Sequence, residues 1–403
     1  MKNVKKLVII GLCIAMLFTM AACNTKPETP AGSDTTNTKK QAETSKSNEA
    51  DPIYIAVAAP MTGDSAEFGL GFKYTVQAVA NDWNKNGGLL GRKIEVLSFD
   101  DKQMPEEAAN VAQKIVSNDK IVAVIGHHAS SCSMAAAPIY EEKDIVEISP
   151  SSSHIDYPKI GKNMFRVVPM AKLDAVSQVA CAVNHFKSKK IGVFYENNDY
   201  SVGSVKNIES EIEKCPDVKL TIKEAVAPGS DDYSASVANF VASGVDTIII
   251  SGNYSVACPF VVQIRKALPN INLVGMGSVM TNDAIDIMGE YGEGLVLTVH
   301  WADYMKDEES IKFVDGYKAA EPNNKPPISE SAMAYDAACV LFQAIKNAGS
   351  TDAAKIRDAL HSIDYQGICG QIKFAEDGNL IRDSLHFAKI VNGKWESLEK
   401  TWN

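Results

Sequence analysis

From Asp51 onward the chain alternates between two hydrophobic periods. "IYIAVAAP" is a short run of β-branched and small apolar residues, whereas "YTVQAVANDWNK" spaces its apolar positions as a helix does and closes on "NGG". "KIEVLSFDD" predicts a strand, "PEEAANVAQKIVSN" a helix opened by Pro105, and "IVAVIG" a buried strand. "CSMAAAPIYEEK" is helical and "IVEISP" returns to a strand. Strands of near-continuous Val and Ile, each followed by a helix, predict βαβ units around a parallel sheet covered on both faces.

A second series of the same cadence follows "NMFRVVP". "LDAVSQVACAVNHF", "SVGSVKNIESEIEK", "YSASVANFVAS" and "VACPFVVQIRKAL" are helical, and they alternate with the strands "KIGVFYE", "VKLTIKEAV", "VDTIIIS" and "INLVGM". Two α/β lobes, each with its own sheet, are therefore expected. The tail "GICGQIKFAEDGNLIRDSLHFAKIVNGKW" changes to strand alternation, with "EDGN" as a hairpin turn. No short tandem repeat interrupts the pattern.

The first fifty residues follow a different logic. "MKNVKK" is a basic n-region and "LVIIGLCIAMLFTMAA" an apolar h-region, together a secretory leader over residues 1–22. The apolar run is shorter than the roughly 20 residues of a spanning helix. "MAAC" resembles the lipobox of bacterial lipoproteins, with Met20 in place of the usual leucine, so Cys23 is the expected lipid anchor. Residues 23–50 contain no aromatic and no large aliphatic side chain, as expected of a disordered tether. A flexible chain of that length spans roughly 30 Å. Loss of Lys2, Lys5 and Lys6 with the leader takes the net charge from −10 to −13. That balance excludes a basic nucleic-acid footprint and flat adsorption to an anionic bilayer. Cys132, Cys181, Cys215, Cys258, Cys339 and Cys369 show no framework spacing, and four of them sit in apolar stretches as small core residues.

Candidate chemistry gathers in two loops, "GHHASSCS" after one strand and "SPSSSH" after another. Ligands bind beyond the carboxyl ends of parallel strands, which puts both loops at the functional edge. Ser130 or Ser131 is placed to cap the helix expected from about Cys132, and Pro138 to kink it. A helix start lined with hydroxyls offers neutral donors to a carboxylate. A metal site on His127, His128, Cys132 and His154 is the weaker reading, because adjacent histidines at a strand end point to opposite faces. A nucleophile is weaker still, since G-x-S-x-G, H-E-x-x-H and Walker patterns are all missing.

Taken in order, "IAVAAPMTGDSAEFG", "NDWNKNGGLLGRKIEVLSFDDKQMPEEAANVAQKIVSN", "VIGHHASS", "EISPSSS", "NDYSVG", "AYDAACVLFQAI" and "GICGQIKFAEDGN" resemble the branched-chain amino acid binding proteins, lipoproteins that serve ABC importers. The resemblance covers about 51 to 402. It implies a type I periplasmic-binding fold: an α/β protein of two Rossmann-like lobes with parallel sheets joined by a three-crossing hinge. Lobe 1 would combine 51–168 with 299–377, and lobe 2 would combine 169–298 with 378–403. The resemblance further implies a monomeric, extracytoplasmic, non-enzymatic binder that needs no cofactor and hands its solute to membrane permease subunits.

Position by position, Ser130 matches the serine that holds the ligand carboxylate, with Ser131 beside it. Ser152 and Ser153 match residues that hold carboxylate and ammonium. Phe68, Tyr200 and Tyr254 match aromatics around the ligand side chain. The loop that usually supplies an acid for the ammonium reads "GMGSVM", with Gly277 and Ser278 at the expected place. A buried ammonium without a partner costs several kcal/mol. Either Asp199 or Asp303 compensates, or the ligand is not an ordinary α-amino acid. Hydrophobic amino acids are the leading ligand class. Two alternatives stand beside this reading: a sensory module of the same fold, and a metal-binding or hydrolytic protein built on His127, His128 and His154.

Overall fold

A computed structural model describes residues 51–281 and 283–398. The expected leader, Cys23 and the tether lie outside the described residues. The first sheet uses β1 (Ile53–Ala59), β2 (Ile94–Asp100), β3 (Ile121–Gly126), β4 (Val146–Ser149) and β5 (Met164–Arg166), all parallel, in the order β2-β1-β3-β4-β5. Its first three helices are α1 (Ala66–Lys85), α2 (Pro105–Val116) and α3 (Ser130–Glu142). The chain then enters a second series: α4 (Ala171–Ala180), β6 (Lys190–Glu196), α5 (Asp199–Ile212), β7 (Lys219–Val226), α6 (Ser234–Ser243) and β8 (Thr247–Ser251). It continues through α7 (Tyr254–Ala267), β9 (Asn272–Met276), α8 (Ala284–Met288) and β10 (Val296–Val299).

Next come α9 (Glu308–Ala320), α10 (Ser329–Ala348), α11 (Ala353–His361) and the small hairpin β11 (Tyr365–Gly367) and β12 (Gly370–Ile372). These return to the first core. The last hairpin, β13 (His386–Val391) and β14 (Lys394–Ser397), completes a seven-stranded second sheet in the order β14-β13-β10-β9-β8-β6-β7. The chain thus crosses between sheets three times: after Arg166, after Val299 and after Leu380. The third crossing falls later than the expected boundary at 377/378. Leu380 still packs in the first core, where it bridges Phe374 across the "EDGN" turn.

Burial explains why the hydrophobic pattern was readable. Along β1, Ile53, Ile55, Val57 and Ala59 face α1 and α10, while Ala56 and Ala58 face α2 and α3. Both faces of the strand are covered, so the sequence runs apolar without alternation. In the second lobe Ile248 and Ile250 of β8 pack with α7, and Ile249 packs toward α4 and α5. The edge strand β7 alternates between exposed and half-buried positions instead. The six cysteines are free, and all but Cys215 are buried, in keeping with a packing role. No described helix is long and apolar enough to cross a membrane.

Candidate ligand-binding cleft

The carboxyl ends of β3 and β4 carry the two serine loops, and hydrogen bonds stitch them into one structure. A Cβ on Gly126 would sit 2.2 Å from the Ala58 carbonyl oxygen, so only glycine lets β3 end there. His127 follows, wholly buried. Its Nδ1 meets Asp101 Oδ2 at 2.6 Å and its Nε2 lies 3.1 Å from the Tyr140 hydroxyl. The His127 N–H donates to Glu147 Oε1 at 3.1 Å. Burial holds the Glu147 carboxyl well above its usual range. From the second loop, Ser149 Oγ donates to the His127 carbonyl at 2.9 Å and Ser151 Oγ to the His128 carbonyl at 2.8 Å. Ser152 and Ser133 share a hydroxyl hydrogen bond of 2.6 Å. Arg166 secures the far side by donating to the Ser152 and His154 carbonyls.

This scaffold aims the start of α3 into a cavity of about 350 Å³. Ser130, Ser131 and Ser153 line it, as do Asp199 and Tyr200 from the start of α5. Ser130 Oγ accepts from the His154 N–H at 3.3 Å, which leaves its own proton to donate. The N–H groups of Ser130 and Ser131 add further donors, because those of Cys132 and Ser133 are the first to find a carbonyl in the turn, at Ala129. Neither serine is the cap: the N-cap is Ala129, without a side-chain bond, because the helix begins at Ser130 rather than near Cys132. Pro138 lies inside α3, which runs unbroken to Glu142.

Several expected residues stand one step back from the cavity. The Ser152 side chain is wholly buried against Ser133 rather than lining it. Phe68 is buried and stacks on His128 at 4.2 Å, so the imidazole, not the phenyl ring, faces the cavity. Tyr254 instead joins the two lobes, its hydroxyl donating to the Asp64 carbonyl at 2.9 Å. Asp303 is exposed and does not line the cavity, because the chain turns outward after the buried Trp301. The three histidines do not converge: His127 pairs with Asp101, His128 with Gln103, and His154 with the Asp156 N–H. Among the described residues no group of three His, Cys, Asp or Glu is placed to hold a metal ion.

The acidic part of the lining was not foreseen. Asp174 of α4, Glu196 at the end of β6 and Glu330 in the first turn of α10 all line the cavity and are buried. Thr298 of β10 donates to Asp174 Oδ1 at 2.8 Å, and Asn198 donates to Glu196 Oε2 at 2.9 Å. Burial raises the Asp174 carboxyl to about 6, and burial together with nearby Asp174 raises Glu330 to about 8. Burial also raises Glu196. His128 and His300, pushed down by burial to about 4 and about 3, are neutral lining groups at neutral pH. No lysine or arginine is among the lining residues, and neither is any leucine, isoleucine or phenylalanine. The one hint in the sequence was an acid, Glu330, at the head of the long apolar stretch "SAMAYDAACVLF".

Two α/β lobes of this topology around a polar cleft are the architecture of a solute-binding protein. The chain belongs to the periplasmic binding protein family, which matches it over residues 52–394. An "amino acid binding protein" of Pseudomonas aeruginosa is 28% identical over 350 residues, 86% of this chain and 92% of that one. A leucine-, isoleucine-, valine-, threonine- and alanine-binding protein of the same organism is 27% identical over 83% of this chain and 89% of its own length. The crystal structure of a leucine binding protein from Thermotoga maritima superposes with a TM-score of 0.78 at 28% identity, covering 87% of this chain and 99% of that one.

Proposed function

We propose that the protein captures an amino acid or a related small carboxylate between its lobes and delivers it to the permease of an ABC importer. The observation that carries this reading is the opposition of charge in one cavity. Neutral donors from Ser130, Ser131 and Ser153 share the lining with the carboxyl groups of Asp174, Glu196, Asp199 and Glu330, a pattern matched to a solute with an anionic and a cationic end. The ligand carboxylate rests on Ser130, Ser131 and Ser153 and the start of α3, while Ser152, its N–H given to Ser149 Oγ and its carbonyl to Arg166, holds the loop behind them. The ammonium turns to Asp199, which lines the cavity beside Tyr200 and takes the place of the acid missing at Gly277 and Ser278. Tyr200 lies against the bound solute. Closure of the lobes favours the bound form, and the permease reads that form. Cys23 carries the lipid that holds the protein at the outer face of the cytoplasmic membrane, and residues 24–50 give it reach.

A thermal-shift screen of the purified protein against amino acids, amides and small organic acids tests this directly. A ligand at a hundred times its dissociation constant adds about 2.7 kcal/mol of stability. Stabilisation by at least one amino acid or small carboxylate is the expected result. A protein stabilised by none of the carboxylate-bearing solutes would overturn the reading.

A further inference from the structure

The acid wall carries more than one ammonium needs. Asp174, Glu196, Asp199 and Glu330 line a cavity that no lysine or arginine lines, and the serine side adds no positive charge. A simple zwitterion brings one cationic group to four carboxyl groups, of which Asp174 and Glu330 lie close enough to repel one another when charged. Three further atoms show where the deficit lies. Glu330 Oε2, Ser278 Oγ and His300 Nδ1 have no hydrogen-bond partner among the described residues, although these side chains are only 7%, 4% and 8% exposed. All three side chains line the same cavity. They also come together in the fold. The 3-10 turn Gly277–Val279 packs on α10, a Cβ on Gly277 would lie 3.3 Å from the Thr298 carbonyl oxygen, and Thr298 holds Asp174.

We propose that this deep corner receives a cationic nitrogen group, so that the solute is an amino acid bearing an ammonium or guanidinium on its side chain. The inference rests on the serine side being the carboxylate cradle. An ammonium brings three N–H donors and a guanidinium five, enough to serve Glu330 Oε2 and Ser278 Oγ together and Asp174 beside them. A leucine side chain in the same corner would leave those atoms unpaired. The apolar lining side chains Val168, Met276 and Met333 suit the methylene stem that such a ligand carries. The raised pKa values of Asp174 and Glu330 record the cost of burying both carboxyls, a cost that a cation between them reverses.

Titration calorimetry of the purified protein with L-arginine, L-lysine, L-ornithine, L-citrulline and L-leucine separates the possibilities. Citrulline has nearly the shape of arginine without its charge. The tightest of the three cationic ligands is expected to bind at least tenfold more tightly than citrulline or leucine. Glu330→Gln is expected to weaken that ligand at least tenfold and so to narrow its advantage over leucine. Citrulline or leucine binding as tightly as the best cationic ligand would overturn the inference, and the wild-type comparison decides this even if the variant does not fold. Leucine that binds tightly and is weakened by Ser130→Ala would leave the amino-acid reading intact while removing the cationic one. Failure of all three cationic ligands to bind overturns the inference as well, and the thermal screen then judges the wider reading alone.

Discussion

On the serine side of the cleft the recognition groups are neutral and sit on loops tied together inside the protein, so they cost little when no solute is bound. Ser130 accepts from His154, and Ser151 and Ser149 serve the carbonyls of the histidine loop. The acid side is built the opposite way: Asp174, Glu196 and Glu330 are buried carboxyls without a lysine or arginine beside them in the lining. One wall is made rigid by its own hydrogen bonds, while the other stores an electrostatic deficit that a solute relieves. Affinity at the first wall comes from preorganised donors. At the second it comes from removing a desolvation cost already present in the fold.

The largest expected effect exposes that stored cost. Glu330 titrates near 4.5 as a free carboxyl and at about 8 in the fold, so between those values the folded protein holds the extra proton. Its contribution to stability is therefore fully present below about 4.5 and is lost as pH rises toward 8. At about 1.4 kcal/mol per unit, the loss between pH 5 and 8 is about 4 kcal/mol. Denaturant unfolding without ligand should show Glu330→Gln gaining on the wild type by about that amount across the interval. Parallel pH profiles for the two proteins would mean that the wall stores no such energy.

A smaller effect breaks the serine wall from behind. Asp101→Ala removes the buried partner of His127 and should destabilise the protein by about 3 kcal/mol in urea, loosening the loop that carries Ser130. An unchanged unfolding midpoint would show that the pair does not hold the loop.

The two walls also differ in how far the sequence discloses them. The serine wall is written in two contiguous loops, each directly after an apolar strand, and the rule for parallel sheets places both at the functional edge. The acid wall is assembled from α4, the end of β6 and the start of α10, and no motif links Asp174, Glu196 and Glu330. Of the two acids expected to serve the ammonium, Asp199 lines the cavity, whereas the chain turns Asp303 into solvent. Helix α10 itself hid from the hydrophobic pattern because sixteen of its 20 residues are buried, which leaves no polar face to mark its period. Phe68 shows a subtler limit. The matched ring is at the site, but His128 stacks over it and takes its place at the surface of the cavity.

The most direct measurement is a calorimetric cycle on the carboxylate cradle, using the tightest amino acid from the screen and its decarboxylated analogue against wild type and Ser130→Ala. The hydrogen bond to a charged group is worth about 2 kcal/mol, close to thirtyfold in affinity. The amino acid should lose about that factor in Ser130→Ala, and the decarboxylated analogue, already weak, should lose almost nothing. Equal losses for both ligands, or undiminished affinity for the amino acid, would show that the start of α3 does not hold the carboxylate.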